Sequence, residues 1–237
     1  MSESAFPEKL VDKFGRHVDY IRLSVTDRCD FRCVYCMTED MTFIPRREIL
    51  SLEELCQVAT AFTELGVKKI RLTGGEPLVR TDVMTLIQKL GALPGLQELL
   101  LTTNGSQLTT YAEPLKKAGV NRINISIDSL QADRFQRISR VGKLDKVLAG
   151  IDAAVAQGFD RIRLNSVVMK GYNEDEVLAL TDFALARHVD IAFIEEMPLG
   201  EASDHAREDT TCSNAWVRAQ IEKKYQLIDS PARTAGP

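Results

Sequence analysis

The sequence predicts an α/β fold, an open partial barrel of (βα)6 type, and three observations carry that expectation. Strand-length apolar runs alternate with helix-period segments, the alternation repeats six times, and 237 residues fall short of the ~250 typical of a closed eight-unit barrel. The first strand is read at Ile21 to Thr26, the second at Lys68 to Thr73 and the third at Glu98 to Thr103. Arg122 to Asp128, Arg161 to Met169 and Asp190 to Met197 supply the rest. Between the first two, Leu52, Leu55, Cys56, Ala59, Phe62 and Leu65 recur at helical spacing, Ser51 with Glu54 forms a capping box, and Gly66 ends the run. Val83, Leu86, Ile87 and Leu90 mark a second helix, and Leu144, Val147, Leu148, Ile151 and Val155 another. A further helix carries Val177, Leu180, Phe183 and Ala184, with Asn173 as its expected cap, and a last one runs near Ser213 to Tyr225. Parallel strands joined by right-handed crossovers all end on one edge, so function is expected to gather there. The barrel is expected to occupy residues 1–200, with 201–237 opening a further region.

Composition narrows the class. With 44% hydrophobic and 27% charged residues, 14 Gly and 8 Pro, the chain reads as an ordinary globular protein. Thirty Lys and Arg against 34 Asp and Glu leave a net charge of −4, too balanced to point to nucleic acid, so an anionic ligand must be held by local cations. No run approaches a membrane span and the N-terminus lacks a signal-peptide core, which leads us to expect a cytoplasmic protein without a membrane partner.

The strand ends carry the chemistry. Cys29-Asp-Phe-Arg-Cys33-Val-Tyr-Cys36 places three of the five cysteines within eight residues. Thiolates select zinc or iron–sulfur centres. Structural zinc wants four ligands and no fourth lies near, the histidines being His17, His188 and His205. A zinc knuckle that recruits Cys56 is the bland alternative. Three ligands on a [4Fe–4S] cluster leave one iron open to an exogenous amine and carboxylate. Gly74-Gly75-Glu76, Thr102-Thr103-Asn104, Ser126 with Asp128, and Met197 stand at the ends of later strands. Arg22 and Arg71 sit within strands, where an arginine is ordinarily solvated or ion-paired. Turned inward, their guanidinium forks suit phosphate oxygens.

The Cys-x3-Cys-x2-Cys motif resembles that of the radical S-adenosylmethionine superfamily. Tyr20 to Met37, Arg71 to Arg80, Leu101 to Gly105, Asn124 to Leu130 and Phe193 to Met197 look more closely like the GTP 3′,8-cyclases of molybdenum cofactor biosynthesis, over nearly the whole chain. The resemblance implies that Cys29, Cys33 and Cys36 hold a [4Fe–4S] cluster, that Tyr35, Gly75, Ser126 and Met197 contact S-adenosyl-L-methionine, and that Arg22, Arg71 and Thr102 contact GTP. It implies a 5′-deoxyadenosyl radical that takes hydrogen from the ribose C3′ of GTP, after which C3′ joins guanine C8. The implied partners are GTP and a reductant protein, with a homodimer allowed.

Departures from the family pattern are Thr38 in place of a proline after Cys-Met, and Arg163 in place of a GTP-contacting lysine, a role not carried over. The family also has a later three-cysteine motif for a second [4Fe–4S] cluster; Cys212 is isolated, so the chain is expected to be the barrel portion of a longer protein. Two rival readings are a radical enzyme for a peptide or another small molecule, and a non-enzymatic zinc-stabilised nucleotide-binding module.

Overall fold

Each of the six apolar runs forms a strand, and neighbours in the chain are neighbours in the sheet. The computed structural model describes residues 10–197 and 207–230. In chain order the elements are β1 (Tyr20–Ser24), α1 (Leu52–Glu64), β2 (Lys69–Thr73), α2 (Val83–Gly91), β3 (Glu98–Thr103) and α3 (Leu108–Lys117). Then come β4 (Val120–Ser126), α4 (Ala132–Ser139), α5 (Leu144–Ala156), β5 (Arg161–Val168), α6 (Val177–Ala186), β6 (Asp190–Glu195), α7 (Arg207–Thr210) and α8 (Asn214–Glu222). The sheet order is β1-β2-β3-β4-β5-β6, every adjacent pair parallel, and β1 does not pair with β6. The expected open (βα)6 arrangement is the one observed.

Strand alternation divides the sheet into two faces. Ile70, Leu72, Leu99, Leu101, Ile123, Ile125 and Leu164 are fully or almost fully buried on the convex face, in one core with Leu55, Leu86, Leu90, Val147, Ile151 and Leu180 from the helices. The concave face is polar: register sets Arg22 beside Arg71, Asn124 beside Arg163, and Ser126 beside Asn165. Helix α1 begins as its sequence dictates, Glu54 N donating to Ser51 Oγ at 3.1 Å and Ser51 N to Glu54 Oε2 at 2.7 Å. Such caps are worth about 1 kcal/mol each.

Some expectations need correction. Asn173 stands at the N-cap position of the 3-10 turn Glu174–Glu176 that leads into α6, but its side chain makes no capping bond; its amide is buried, donating to the Asp128 carbonyl (2.7 Å) and the Val167 carbonyl (2.9 Å) while its Oδ1 accepts from Met169 N (2.8 Å). It ties the ends of β4 and β5. Cys56 is only half-buried on α1, and Val155 is 36% exposed. Helices α3 and α4 interrupt the simple picture, α3 with Pro114 inside it and α4 as a second helix before α5. The 200/201 boundary lies outside the described residues. Further on, Thr211 bridges to Met169, and Cys212 and Val217 are buried with Val168 and Val177 against the β5 and α6 end of the barrel.

Candidate active site

The cysteine loop leaves the C-terminal end of β1 and is fixed from three sides. Arg32 N donates to the Ser139 carbonyl and Val34 N to the Ile138 carbonyl, each at 3.0 Å, which docks the loop on the end of α4. Arg140 ends that helix with a positive φ of 61°. Its guanidinium donates to the carbonyls of Arg32 (3.0 Å) and Met37 (2.9 Å). On the other side, Gly75 N donates to the Thr26 carbonyl and Glu76 N to the Arg28 carbonyl, both at 2.8 Å. A Cβ on Gly75 would stand 2.4 Å from the Arg28 oxygen, and one on Gly74 2.4 Å from the Thr26 oxygen. The glycine pair is therefore required by the loop carrying the cysteines, a packing reason beyond the ligand access that the sequence suggested.

Cys29, Cys33 and Cys36 line one cavity of about 180 Å³ together with Tyr35, Gly75, Thr102, Ser126 and Asp128. Among the described residues no three Cys, His, Asp or Glu side chains gather tightly enough to share a single ion. Structural zinc takes four protein ligands and neither a fourth cysteine nor a histidine lines this cavity, whereas iron–sulfur clusters are held by cysteine thiolates. Cys56 lies elsewhere, in a shallow surface hollow beside Glu53 and Lys89, so it completes no four-cysteine set. The donor set fits a three-thiolate iron–sulfur cluster. A larger hollow of about 510 Å³, lined by Asp30, Ser106, Thr110, Lys143 and Lys146 among others, holds none of the thiols. The thiols and the buried Asp128 all line the smaller cavity.

The three thiols sit in unequal surroundings. Burial pushes the Cys29 thiol up to about 11. The Cys33 thiol donates to Cys36, which raises Cys33 and lowers Cys36. Asp128 is buried and raised to about 6, with Oδ1 accepting from Val167 N and Oδ2 from Tyr35 Oη, each at 2.9 Å. The Tyr35 hydroxyl is thus already engaged. Glu76, fully buried and raised to about 7 by burial, accepts from Leu78 N (3.0 Å), Thr103 Oγ1 (2.9 Å) and Asn104 N (2.6 Å). The sequence put Glu76, Asn104 and Asp128 at the rim but gave them no role. The available signal was an acidic residue directly after an apolar strand.

The arginines meet below this cavity on the concave face. Tyr20 Oη accepts from Arg71 Nε (2.9 Å) and Arg22 Nε (3.3 Å), and Arg71 Nη1 donates to Thr102 Oγ1 at 3.4 Å. Arg71 is 7% exposed, while Arg22, on the edge strand, is open to solvent. Arg163 faces Asp190 at 3.9 Å. Burial, followed by repulsion from Arg161, lowers the Arg163 pKa. The structure therefore unites Arg22, Arg71 and Thr102, and separately the three cysteines with Tyr35, Gly75, Thr102 and Ser126. Met197 is the exception: β6 ends at Glu195, and Met197 is 52% exposed and outside the cavity lining.

The chain is similar to known proteins both in sequence and in fold. The Radical SAM superfamily model matches residues 23–184. The GTP 3′,8-cyclase of Ectopseudomonas mendocina (strain ymp) is 61% identical over 229 residues, covering 97% of this chain and 69% of the relative. GTP 3′,8-cyclase 1 of Pseudomonas aeruginosa is 60% identical over 227 residues, covering 96% and 69%. Among solved structures, Streptococcus suis SuiB bound to S-adenosylmethionine superposes with a TM-score of 0.68 at 16% identity, over 87% of this chain and 48% of that one. TYW1 with a lysine-pyruvate adduct gives 0.64 at 16%, over 89% and 76%. These two structures bear on the fold alone. By its superfamily match and its identity to these relatives, the chain belongs to the GTP 3′,8-cyclase family of the radical S-adenosylmethionine superfamily.

Proposed function

We propose that this chain is the S-adenosylmethionine-cleaving barrel of an enzyme that converts GTP to a 3′,8-cyclised nucleotide, the first step of molybdopterin cofactor biosynthesis. The carrying observation is the Arg22–Tyr20–Arg71–Thr102 line beneath a cavity lined by three thiols. Thr102 belongs to both.

Cys29, Cys33 and Cys36 would hold a [4Fe–4S] cluster, which supplies, when bound, the electron that breaks the sulfonium carbon–sulfur bond. The chain's own residues position the reactants. Gly75 and Ser126 offer backbone and a small side chain at the cavity wall for S-adenosylmethionine, and Tyr35 is held there by Asp128. Met197 is retained in that set on the family resemblance, its exposed position being unlike the others. Arg22 and Arg71 would take phosphate oxygens, with Thr102 fixing the Arg71 fork. In that arrangement the arginines would hold the triphosphate with the ribose turned toward the cavity, where S-adenosylmethionine, when bound, would supply the radical chemistry at C3′. Positioning of this kind accounts for several kcal/mol of a barrier.

The electron would come from a reductant protein. No helix among the described residues is long and apolar enough to cross a membrane, in keeping with a cytoplasmic enzyme. The 237 residues hold no second cysteine triplet, Cys56 and Cys212 standing apart, so a second cluster has no ligand set among them. The alternative substrates, peptides or other small molecules, would give no reason for the arginine pair. Nucleotide titration of the Arg71 variant, described below, tests the assignment.

A further inference from the structure

We propose that Asn104 is a positioning residue for the cluster: its side-chain amide donates to the sulfur of Cys29 and thereby sets how readily the bound cluster accepts an electron. The inference rests on the cluster assignment above and goes beyond it to a residue with no ligand or substrate contact assigned. Asn104 follows β3, is 9% exposed, and directs Nδ2 at Cys29 Sγ at 3.8 Å.

Four contacts determine which way the amide points. Its Oδ1 accepts from Ser106 N at 2.9 Å, which places the oxygen away from the sulfur. Its Nδ2 donates to Asp30 Oδ1 at 2.6 Å, leaving the second N–H for Cys29. Asp30 is held in turn, its Oδ2 accepting from Ser106 Oγ at 2.7 Å. The backbone is pinned by Asn104 N donating to the buried Glu76 at 2.6 Å. An amide with two donors and one carbonyl can satisfy this set in a single orientation. Cys29 Sγ also accepts from Phe31 N at 3.4 Å.

The chemical consequence follows from charge. An iron-bound thiolate sulfur becomes more negative when the cluster gains an electron, and an N–H donor stabilises that state more than the oxidised one. Hydrogen bonds to cluster sulfurs tune reduction potential in this sense. Near the thiols stand Asp30, Glu76 and Asp128, which oppose added negative charge; a donor aimed at Cys29 offsets part of that opposition.

The test is a reductive titration of the iron- and sulfide-reconstituted chain, followed by electron paramagnetic resonance. Asn104→Leu keeps the side chain's shape and removes its donors, and the reduction equilibrium is expected to fall about tenfold, a midpoint ~59 mV more negative for a one-electron couple. Asn104→Asp, which turns the donor into an acceptor, is expected to shift it further the same way. In the unaltered chain, asparagine labelled with ¹⁵N in the side chain is expected to give hyperfine coupling to the reduced cluster. Full iron content with an unchanged midpoint in Asn104→Leu overturns the proposal. If that variant loses its iron, the ¹⁵N coupling decides, its presence supporting the proposal and its absence overturning it. No iron in the unaltered chain overturns the cluster assignment itself and this inference with it.

Discussion

Replacing Arg71 by alanine separates the two ligands that the site is proposed to hold. The side chain is nearly buried, its Nε held by Tyr20 Oη and its Nη1 by Thr102 Oγ1, so one edge of the guanidinium is oriented before any nucleotide arrives. A hydrogen bond to a charged group is worth about 1.5–3 kcal/mol, which corresponds to a loss of roughly 10- to 150-fold in GTP affinity. Arg71→Lys keeps the charge without the fork and is expected to fall between. S-adenosylmethionine affinity should change little, because Gly75, Ser126 and Tyr35 lie at the cavity and not around the Arg71 head. Tyr20 keeps a second donor in Arg22 Nε, which limits the structural disturbance. Calorimetric titration of reconstituted parent and variant with each ligand at one salt concentration reads both affinities. Unchanged GTP affinity, or equal loss for both ligands, would refute the assignment.

Other variants probe the frame. Cys33→Ala should abolish iron and sulfide binding while Cys212→Ala, whose side chain packs with Val168, Val177 and Val217, should keep both; equal loss measured by iron and sulfide analysis would contradict the ligand set. Gly75→Ala drives a Cβ into the Arg28 backbone at 2.4 Å, so thermal or urea unfolding should report a loss of about 1–3 kcal/mol together with lowered cluster occupancy. Glu76 carries a pH dependence with a defined sign: its pKa is raised from 4.5 to about 7, so the folded chain binds more protons than the unfolded one. Its contribution is most favourable below about pH 4.5 and is lost as pH rises through 7, on the order of 3 kcal/mol in all. Urea unfolding of the cluster-free chain should show that component between pH 5 and 8, and Glu76→Gln should remove it.

Much of this architecture was legible because local pattern and tertiary demand coincide. Ser51 and Glu54 announce α1, Val83 to Leu90 spells a buried stripe, and six strand-length runs separated by helices leave few topologies besides a parallel sheet. The cysteine triplet was legible for the same reason, its spacing being local. Asn173 misled because its role depends on where neighbouring strands end: its amide bonds the Asp128 carbonyl just past β4 and the Val167 carbonyl in β5, and Met197 likewise falls just past the end of β6. The network of Glu76, Asn104 and Asp30 was opaque because it joins the ends of β1, β2 and β3, and nothing within one segment states which carboxylate will meet which amide. Inward placement of Arg71 was a choice between faces that only register with Arg22 and Tyr20 decides.

Product analysis after anaerobic incubation of the reconstituted 237-residue chain with dithionite, S-adenosylmethionine and GTP tests the central claim most directly. The three-thiol cavity and its rim should suffice for reductive cleavage, whereas cyclisation needs the ribose held against the radical, and small misplacements are costly. The family resemblance implies that the second cluster holds the GTP base, and these residues carry no second cysteine triplet, so chromatography should reveal 5′-deoxyadenosine without cyclised nucleotide. Cyclised nucleotide in stoichiometric yield would contradict the division of labour, and no 5′-deoxyadenosine from fully loaded protein would contradict the account of the cavity itself.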